Sequence, residues 1–450
     1  MNPLGATAPQ ARGASAAGAL IRRARMSPLA GRLARGTFWA TAGTAAARLS
    51  LLLTTIIVGR TIGKSGLGAF GIVLNTVSMF QVAAGLGMGL AATKYVAEHR
   101  RSDPDAAGQI IGLSLFVTAA SSIALAAGLL AAAPWLAAHT LAAPELASEL
   151  RVSGGILVST SLLAAAAGAL SGFEAFRLAA IANALTGAVT IPAVYFGVRS
   201  GGLEGAVWGL FASSAFGAFI MVAALWRRTR LSGVRVRVPR DAAGWRPVRD
   251  FGLPATLSGL VVAPVNWTCA ALLVNSAGGY EQMGIYNAAN SWRIAIFYIP
   301  IVFGQVLTPV LAERAGARDD ASLRRLVSMS MAAMGLACAV PVALVVLLSP
   351  TVMGLYGNGF EGNHGVLIVL AATALVMAVL SPVGNVIAAT GRMWVGFTMN
   401  LGWGIAALGI TWILLDRGAL GLALGQLGAY LVHSVWSIAF ARRAILRRAA

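Results

Sequence analysis

Apolar residues run along this chain in blocks of 21 to 28, each closed by a short cluster of charged residues, Gly or Pro. Blocks of that length are what a helix needs to cross a bilayer, about 20 residues at 1.5 Å each. Twelve can be placed, at 37–59, 67–92, 108–133, 152–173, 178–198, 203–226, 251–276, 283–310, 325–349, 364–390, 393–415 and 419–440. The predicted fold class is therefore an all-α polytopic membrane protein, twelve transmembrane helices in two six-helix lobes. The stretch PWLAAHTLAAPELASELR (134–151) forms the largest connection on the outer side and predicts a short helix lying on that face.

The pattern breaks once. Residues 227–250 (RRTRLSGVRVRVPRDAAGWRPVRD) hold eight arginines and no apolar run long enough to bury. A basic segment beside membrane helices stays on the cytoplasmic side, so this is a connector, expected to cross the inner face outside any transport path. The blocks on either side echo one another. Ala97-Glu98 recurs as Ala312-Glu313, Asp105 as Asp320 and Arg177 as Arg392, all at one offset of 215. Gly68-Ala69-Phe70 meets Gly284-Ile285-Tyr286, and Gly202, Gly205 and Gly209 meet Gly418, Gly421 and Gly425, at 216. A register kept across four loops indicates an internal duplication. The domains follow: a disordered and then basic amphipathic segment 1–35, a lobe 36–226, the connector 227–250, a second lobe 251–441, and a basic tail 442–450.

Composition agrees, with 58% hydrophobic and 11% charged residues, against about 25% charged in a soluble domain. The formal charge of +19 is mostly topological signal and contact with anionic lipid, not a nucleic-acid surface. With the N-terminus inside, the inner segments hold 27 of the 34 Lys and Arg and the outer loops five. An odd number of spans would spoil that alternation, so both termini are expected on the cytoplasmic side. Cys269 and Cys338 lie inside apolar blocks, which suits packing and neither a disulfide nor a metal. No cofactor is implied, and no loop is long enough for a catalytic domain, so the chain is expected not to be an enzyme.

The two cations left over are Arg48 and Arg293, each about ten or more residues from either end of its block and thus near the bilayer midplane. An arginine there costs roughly 2.5–3.5 kcal/mol on insertion scales, so it should face a watery cavity or an anion. All fifteen acids fall in loops or at block ends, which leaves no deep carboxylate as a partner or as a proton or sodium relay. Fixed positive charge without fixed negative charge suits an anionic ligand, and the guanidinium grips phosphate bidentately. Thr44, Asn75, Asn290 and Trp292 accompany the arginines as candidate cavity residues, Trp292 as a ring that could stack on a sugar. Pro254, Pro264, Pro300, Pro309, Pro341 and Pro382 crowd the second half, where bends are expected, against Pro192 well inside the first.

Two six-span halves, the opening GTFWATAGTAAARLSLLLTTIIVGRTIGKSGLGAFGIVLNTVSMF and the helix end KYVAEHR together resemble the polysaccharide-exporting, O-antigen-flippase-like branch of the MATE-related superfamily. The turn from Ile62-Gly63 to Phe70-Gly71 matches that branch, with Lys64-Ser65 where its members often carry an acidic or polar residue. The resemblance implies two six-helix lobes working by alternating access, and a cargo of polyprenyl-diphosphate-linked oligosaccharide carried to the outer leaflet. It further implies cationic residues for the diphosphate, with Arg48 and Arg293 the matching positions, and working partners among membrane lipids and the pathway's glycosyltransferases or polymerase. The competing readings are a MATE-type cation or drug antiporter, which needs a buried carboxylate, and a membrane-embedded polymerase or ligase, which needs a large catalytic loop.

Overall fold

The computed structural model describes residues 28–446 apart from 240, 253–255, 257–258, 317–319 and 391. Most of the basic start at 1–35, Pro254 and the end of the tail lie outside the described residues. The structure is helical: α1 (Pro28–Gly85), α2 (Met88–His99), α3 (Pro104–Trp135), α4 (Ala147–Gly172), α5 (Phe176–Leu231), α6 (Val262–Val274) and α7 (Gly279–Gly316). After these come α8 (Asp320–Leu347), the short α9 (Ser349–Gly354), α10 (His364–Ala389), α11 (Met393–Ile413) and α12 (Gly418–Leu446). Among the described residues, seven stretches are long and apolar enough to cross a membrane.

Two of those stretches fold back on themselves. In α1 the backbone leaves helical angles at Gly63, and a Cβ on Gly59 would stand 3.2 Å from Leu67, beyond that break. In α5 the fold is at Gly201-Gly202, where Gly205 closes on the Gly197 carbonyl. Gly202 (φ 55°, ψ −131°) and Gly418 (φ 57°, ψ −133°), partners in the 216 register, share the same backbone angles, a conformation open to glycine and strained for other residues. One turn is built twice.

Several expectations need correction. Block 67–92 is not one helix: Leu86 and Gly87 both take positive φ and separate α1 from α2. The carbonyls on either side of that break are met by α3, Ser121 donating to Ala84 at 2.6 Å and Ser114 to Met88 at 3.1 Å. Irregular backbone at membrane depth survives when protein satisfies it in this way. Residues 28–35 are the first turns of α1. The outer connection at 134–151 is no helix of its own either; α3 runs on through a π-turn to Thr140, and a single 3-10 turn, Pro144–Leu146, leads into α4. Pro192, Pro341 and Pro382 lie inside helices that continue through them. The breaks fall at glycine.

The connector is docked and not slung between halves. Residues 234–239 run without helix along α3, where Gly108 and Gly112 leave room for the Arg235 and Arg237 carbonyls. The Arg237 amide donates to the Gly108 carbonyl at 3.3 Å, its guanidinium pairs with Asp105 at 3.3 Å, and Val234 is buried. Trp245 meets Phe116 edge-on further along the same helix.

Contact between the halves runs chiefly through α1, against α6 and α7. It is tightest at the end that the charge pattern assigns to the outer face. A Cβ on Gly68 would lie 1.9 Å from the Tyr280 carbonyl, and one on Gly284 would lie 1.9 Å from the Lys64 carbonyl. Lys64 and Tyr280 belong to the same 216 register, so the two turns cross as a two-fold pair. Small residues let helix backbones approach this closely. Tyr356, fully buried, donates to the Ala288 carbonyl at 3.1 Å beside Thr55, and Tyr280 donates to the Leu141 carbonyl at 2.8 Å. Burial pushes the Tyr356 phenol up to about 12, and burial followed by the Glu145 charge pushes Tyr280 up as well, so both remain O–H donors.

Candidate functional site

Behind that seal lie two adjoining cavities. Arg48, on the first arm of α1, lines the larger, about 490 Å³, together with Gln81, Thr160 and Ser214. Arg293, on α7, lines the smaller, about 310 Å³, together with Asn266 and Gln426. Asn75, Ser78, Asn290 and Ile294 line both and form the shared wall. No residue lining either cavity is acidic.

The two arginines are held differently. Arg48 is exposed and has no hydrogen bond or ion pair among the described residues. Arg293 is half-buried; its Nε donates to Asn290 Oδ1 at 2.7 Å and its Nη1 lies 3.3 Å from Met377 Sδ. That geometry ties the guanidinium through Nε and Nη1 and leaves donors to spare, since it carries five N–H groups. Asn75 has no protein partner among the described residues. Neutral amides and guanidinium groups with no acidic neighbour in either lining form a surround that suits an anion.

Four of the six residues singled out from the sequence thus meet: Arg48, Asn75, Asn290 and Arg293. Thr44 and Trp292 do not. The Thr44 hydroxyl is bonded to the Ala40 carbonyl of its own helix at 2.9 Å, and Trp292 packs against the apolar core. The Ser50, Thr54 and Ser291 hydroxyls are likewise returned to carbonyls one turn back, the usual arrangement of such residues inside helices. Tyr298 donates to the Thr41 carbonyl and so ties α7 to α1. Sequence reading passed over Gln426, a lone amide in the apolar run GLALGQLGAYL; an uncompensated amide at helical depth was the available signal.

Folded helical arms around a polar cavity, in two halves that repeat each other's turns, are the architecture of the MATE transporters of the MOP superfamily. An inward-facing multidrug resistance MATE transporter of that superfamily superposes with a TM-score of 0.77 over 90% of this chain and 96% of its own, at 17% identity. An outward-facing MATE structure gives 0.68 over 92% and 95% at 18% identity, and a MOP superfamily transporter from Pyrococcus furiosus 0.65 over 92% and 96% at 19%. Within that fold the chain belongs to the polysaccharide biosynthesis protein family, whose model matches residues 33–314. It is similar to the EPS I polysaccharide export inner membrane protein EpsE of Ralstonia solanacearum, 26% identical over 201 residues, 43% of this chain and 46% of that one. The protein of the same description from Ralstonia nicotianae is 27% identical over 176 residues, 38% and 40% of the two chains. Each match spans less than half of the relative's length.

Proposed function

We propose that this chain is a flippase that moves a polyprenyl-diphosphate-linked oligosaccharide, a polysaccharide precursor, from the inner to the outer leaflet by alternating access. The observation that carries the reading is the pair Arg48 and Arg293 on adjoining cavities without an acidic residue in either lining. A diphosphate presents oxygens to both guanidinium groups, and charge-assisted hydrogen bonds of this kind are about twice as strong as neutral ones. Family membership and the likeness to polysaccharide export proteins support the substrate class. An antiporter for cationic drugs fits this cavity less well, because the arginines repel a cation and no carboxylate lines it.

On this reading the chain crosses a bacterial inner membrane twelve times in two six-helix lobes, with both termini in the cytoplasm, and works without enzymatic chemistry. The fold-backs in α1 and α5 supply two crossings each and support that count. The conformation is the one closed on the outer side; the Gly68 and Gly284 crossing and the greater likeness to an inward-facing structure support it. Glycosyltransferases and a polymerase of the same pathway are the partners that would hand over and take up the lipid. The test is reconstitution. Proteoliposomes holding the full chain should translocate undecaprenyl-diphosphate-linked oligosaccharide faster than empty vesicles, and should leave cationic dyes where they are. Dye transport without lipid transport would replace this reading with the antiporter.

A further inference from the structure

The smaller cavity holds more than Arg293. Four amide side chains line it, Asn75, Asn266, Asn290 and Gln426, beside the rings of Trp267 and Tyr286. Gln426 on α12 is 1% exposed. Its Nε2 donates to Asn266 Oδ1 at 3.1 Å, but its Oε1 is buried with no hydrogen-bond partner among the described residues. A buried carbonyl oxygen without a donor is unfavourable, and native structures rarely leave one empty-handed. The neighbouring polar groups do not supply the donor. Asn266 spends its Nδ2 on the Val262 carbonyl at 2.9 Å, and Trp267 gives its N–H to Thr76 at 2.9 Å, leaving only the ring for the cavity. The Asn290 oxygen is taken by Arg293, which leaves its NH₂ free.

What remains open is therefore one buried acceptor, the free amide of Asn75, the NH₂ of Asn290 and aromatic faces. A hydroxyl both donates and accepts, so a ring of adjacent hydroxyls satisfies such a set, whereas a metal cation would face the Arg293 charge. We infer that this cavity is the subsite for the sugar nearest the diphosphate, with Gln426 Oε1 accepting from a sugar hydroxyl and so selecting which glycan the chain carries. The inference rests on the proposed lipid-linked substrate and adds to it the residue that reads the sugar. It also separates two jobs inside the site: Arg293 reads charge and Gln426 reads hydroxyls.

The experiment measures binding of two lipids to the full chain in nanodiscs, undecaprenyl diphosphate bare and the same lipid carrying one glucose, galactose, N-acetylglucosamine or N-acetylgalactosamine. At least one sugar should tighten binding to the unsubstituted protein. Gln426→Leu should then weaken the preferred glycolipid about tenfold, one hydrogen bond's worth, and leave the bare lipid essentially unchanged. Asn266→Ala cuts the same tie between α12 and α6 but keeps the Gln426 carbonyl, so it should weaken the glycolipid less than Gln426→Leu. Equal losses in the two variants, or a loss shared with the bare lipid, would show a merely structural amide and overturn the inference. So would bare and sugar-bearing lipids that bind the unsubstituted protein alike. If bare undecaprenyl diphosphate itself fails to bind, the lipid-linked substrate is wrong and the sugar subsite falls with it.

Discussion

Asn75 and Asn290 are equivalent positions of the two halves, in the register that also pairs Asp105 with Asp320, and both line both cavities. Less than one helical turn later the halves part, with Ser78 in the first and Arg293 in the second. So Asn290 is occupied by its own arginine, while Asn75 faces the cavity with no protein partner among the described residues. The first half supplies its charge from another helix, Arg48 on the first arm of α1, where the same register gives the second half Ala263 beside Pro264. The two halves share a frame of matching turns and amides, and the charges break it. On the proposed reading, two guanidinium groups on unlike helices and adjoining cavities, one anchored and one free, suit a ligand whose two phosphates differ: one esterified to a lipid, the other to a sugar.

Removing either charge should break the site most severely. Arg293→Ala loses the guanidinium and strands Asn290 Oδ1 as well, so its transport rate should fall by at least about tenfold, the worth of a hydrogen bond to a charged group. Arg48→Ala should lose most of its activity too, while Arg48→Lys, which keeps the charge and loses the bidentate fork, retains part of it. Flipping rates in proteoliposomes at matched protein levels measure all three, and full transport by the alanine variants would refute the role given to charge. A smaller effect comes from moving the charge across the frame. Ser78 already lines both cavities, so Ser78→Arg added to Arg293→Ser should recover part of the lost rate. No recovery would mean that the second half's position, and not its charge, is what counts.

Much of the frame was legible in the sequence because periodicity and loop charge obey strong constraints in a bilayer. Block lengths, the basic connector and the glycine register all follow from backbone satisfaction and topology, and the turns at Gly202 and Gly418 carry those constraints into matching dihedrals. The site was half legible. Arg48 and Arg293 stand out because charge at the midplane is expensive, yet Thr44 and Trp292 look polar or aromatic for local reasons: a hydroxyl returned to Ala40 and an indole in the core. Gln426 left only a faint signal, one amide in an apolar run, and its role depends on which helices end up beside it. The break at Leu86-Gly87 was hidden for a similar reason. Gly-Leu-Gly-Met-Gly reads as apolar, and only the serines of α3 make an unwound turn tolerable there.

Two further tests probe the crossing of the turns and the connector. Gly68→Ala places a methyl group where the Tyr280 carbonyl stands, an overpacking of about 1–3 kcal/mol against this crossing of the two turns. A cysteine at Ser78 should then be labelled more quickly from outside, and an unchanged labelling rate would show that these turns do not gate. The mildest effect concerns the connector. Co-expressing two fragments cut after Pro239, which leaves 234–239 docked on α3 with its own half, should restore more transport than a cut after Leu231. Equal restoration would show that the docked segment contributes nothing.

The central claim is that the site carries a doubly anionic lipid without a bound coupling ion, and membrane potential tests it most directly. Outward movement of two negative charges from a negative interior is favourable by about 2.3 kcal/mol per charge per 100 mV if the arginines stay behind. Flipping in proteoliposomes should therefore slow when valinomycin and potassium dissipate the potential at constant pH gradient, and should persist when the pH gradient alone is collapsed. A rate indifferent to the potential and abolished with the pH gradient would contradict the account.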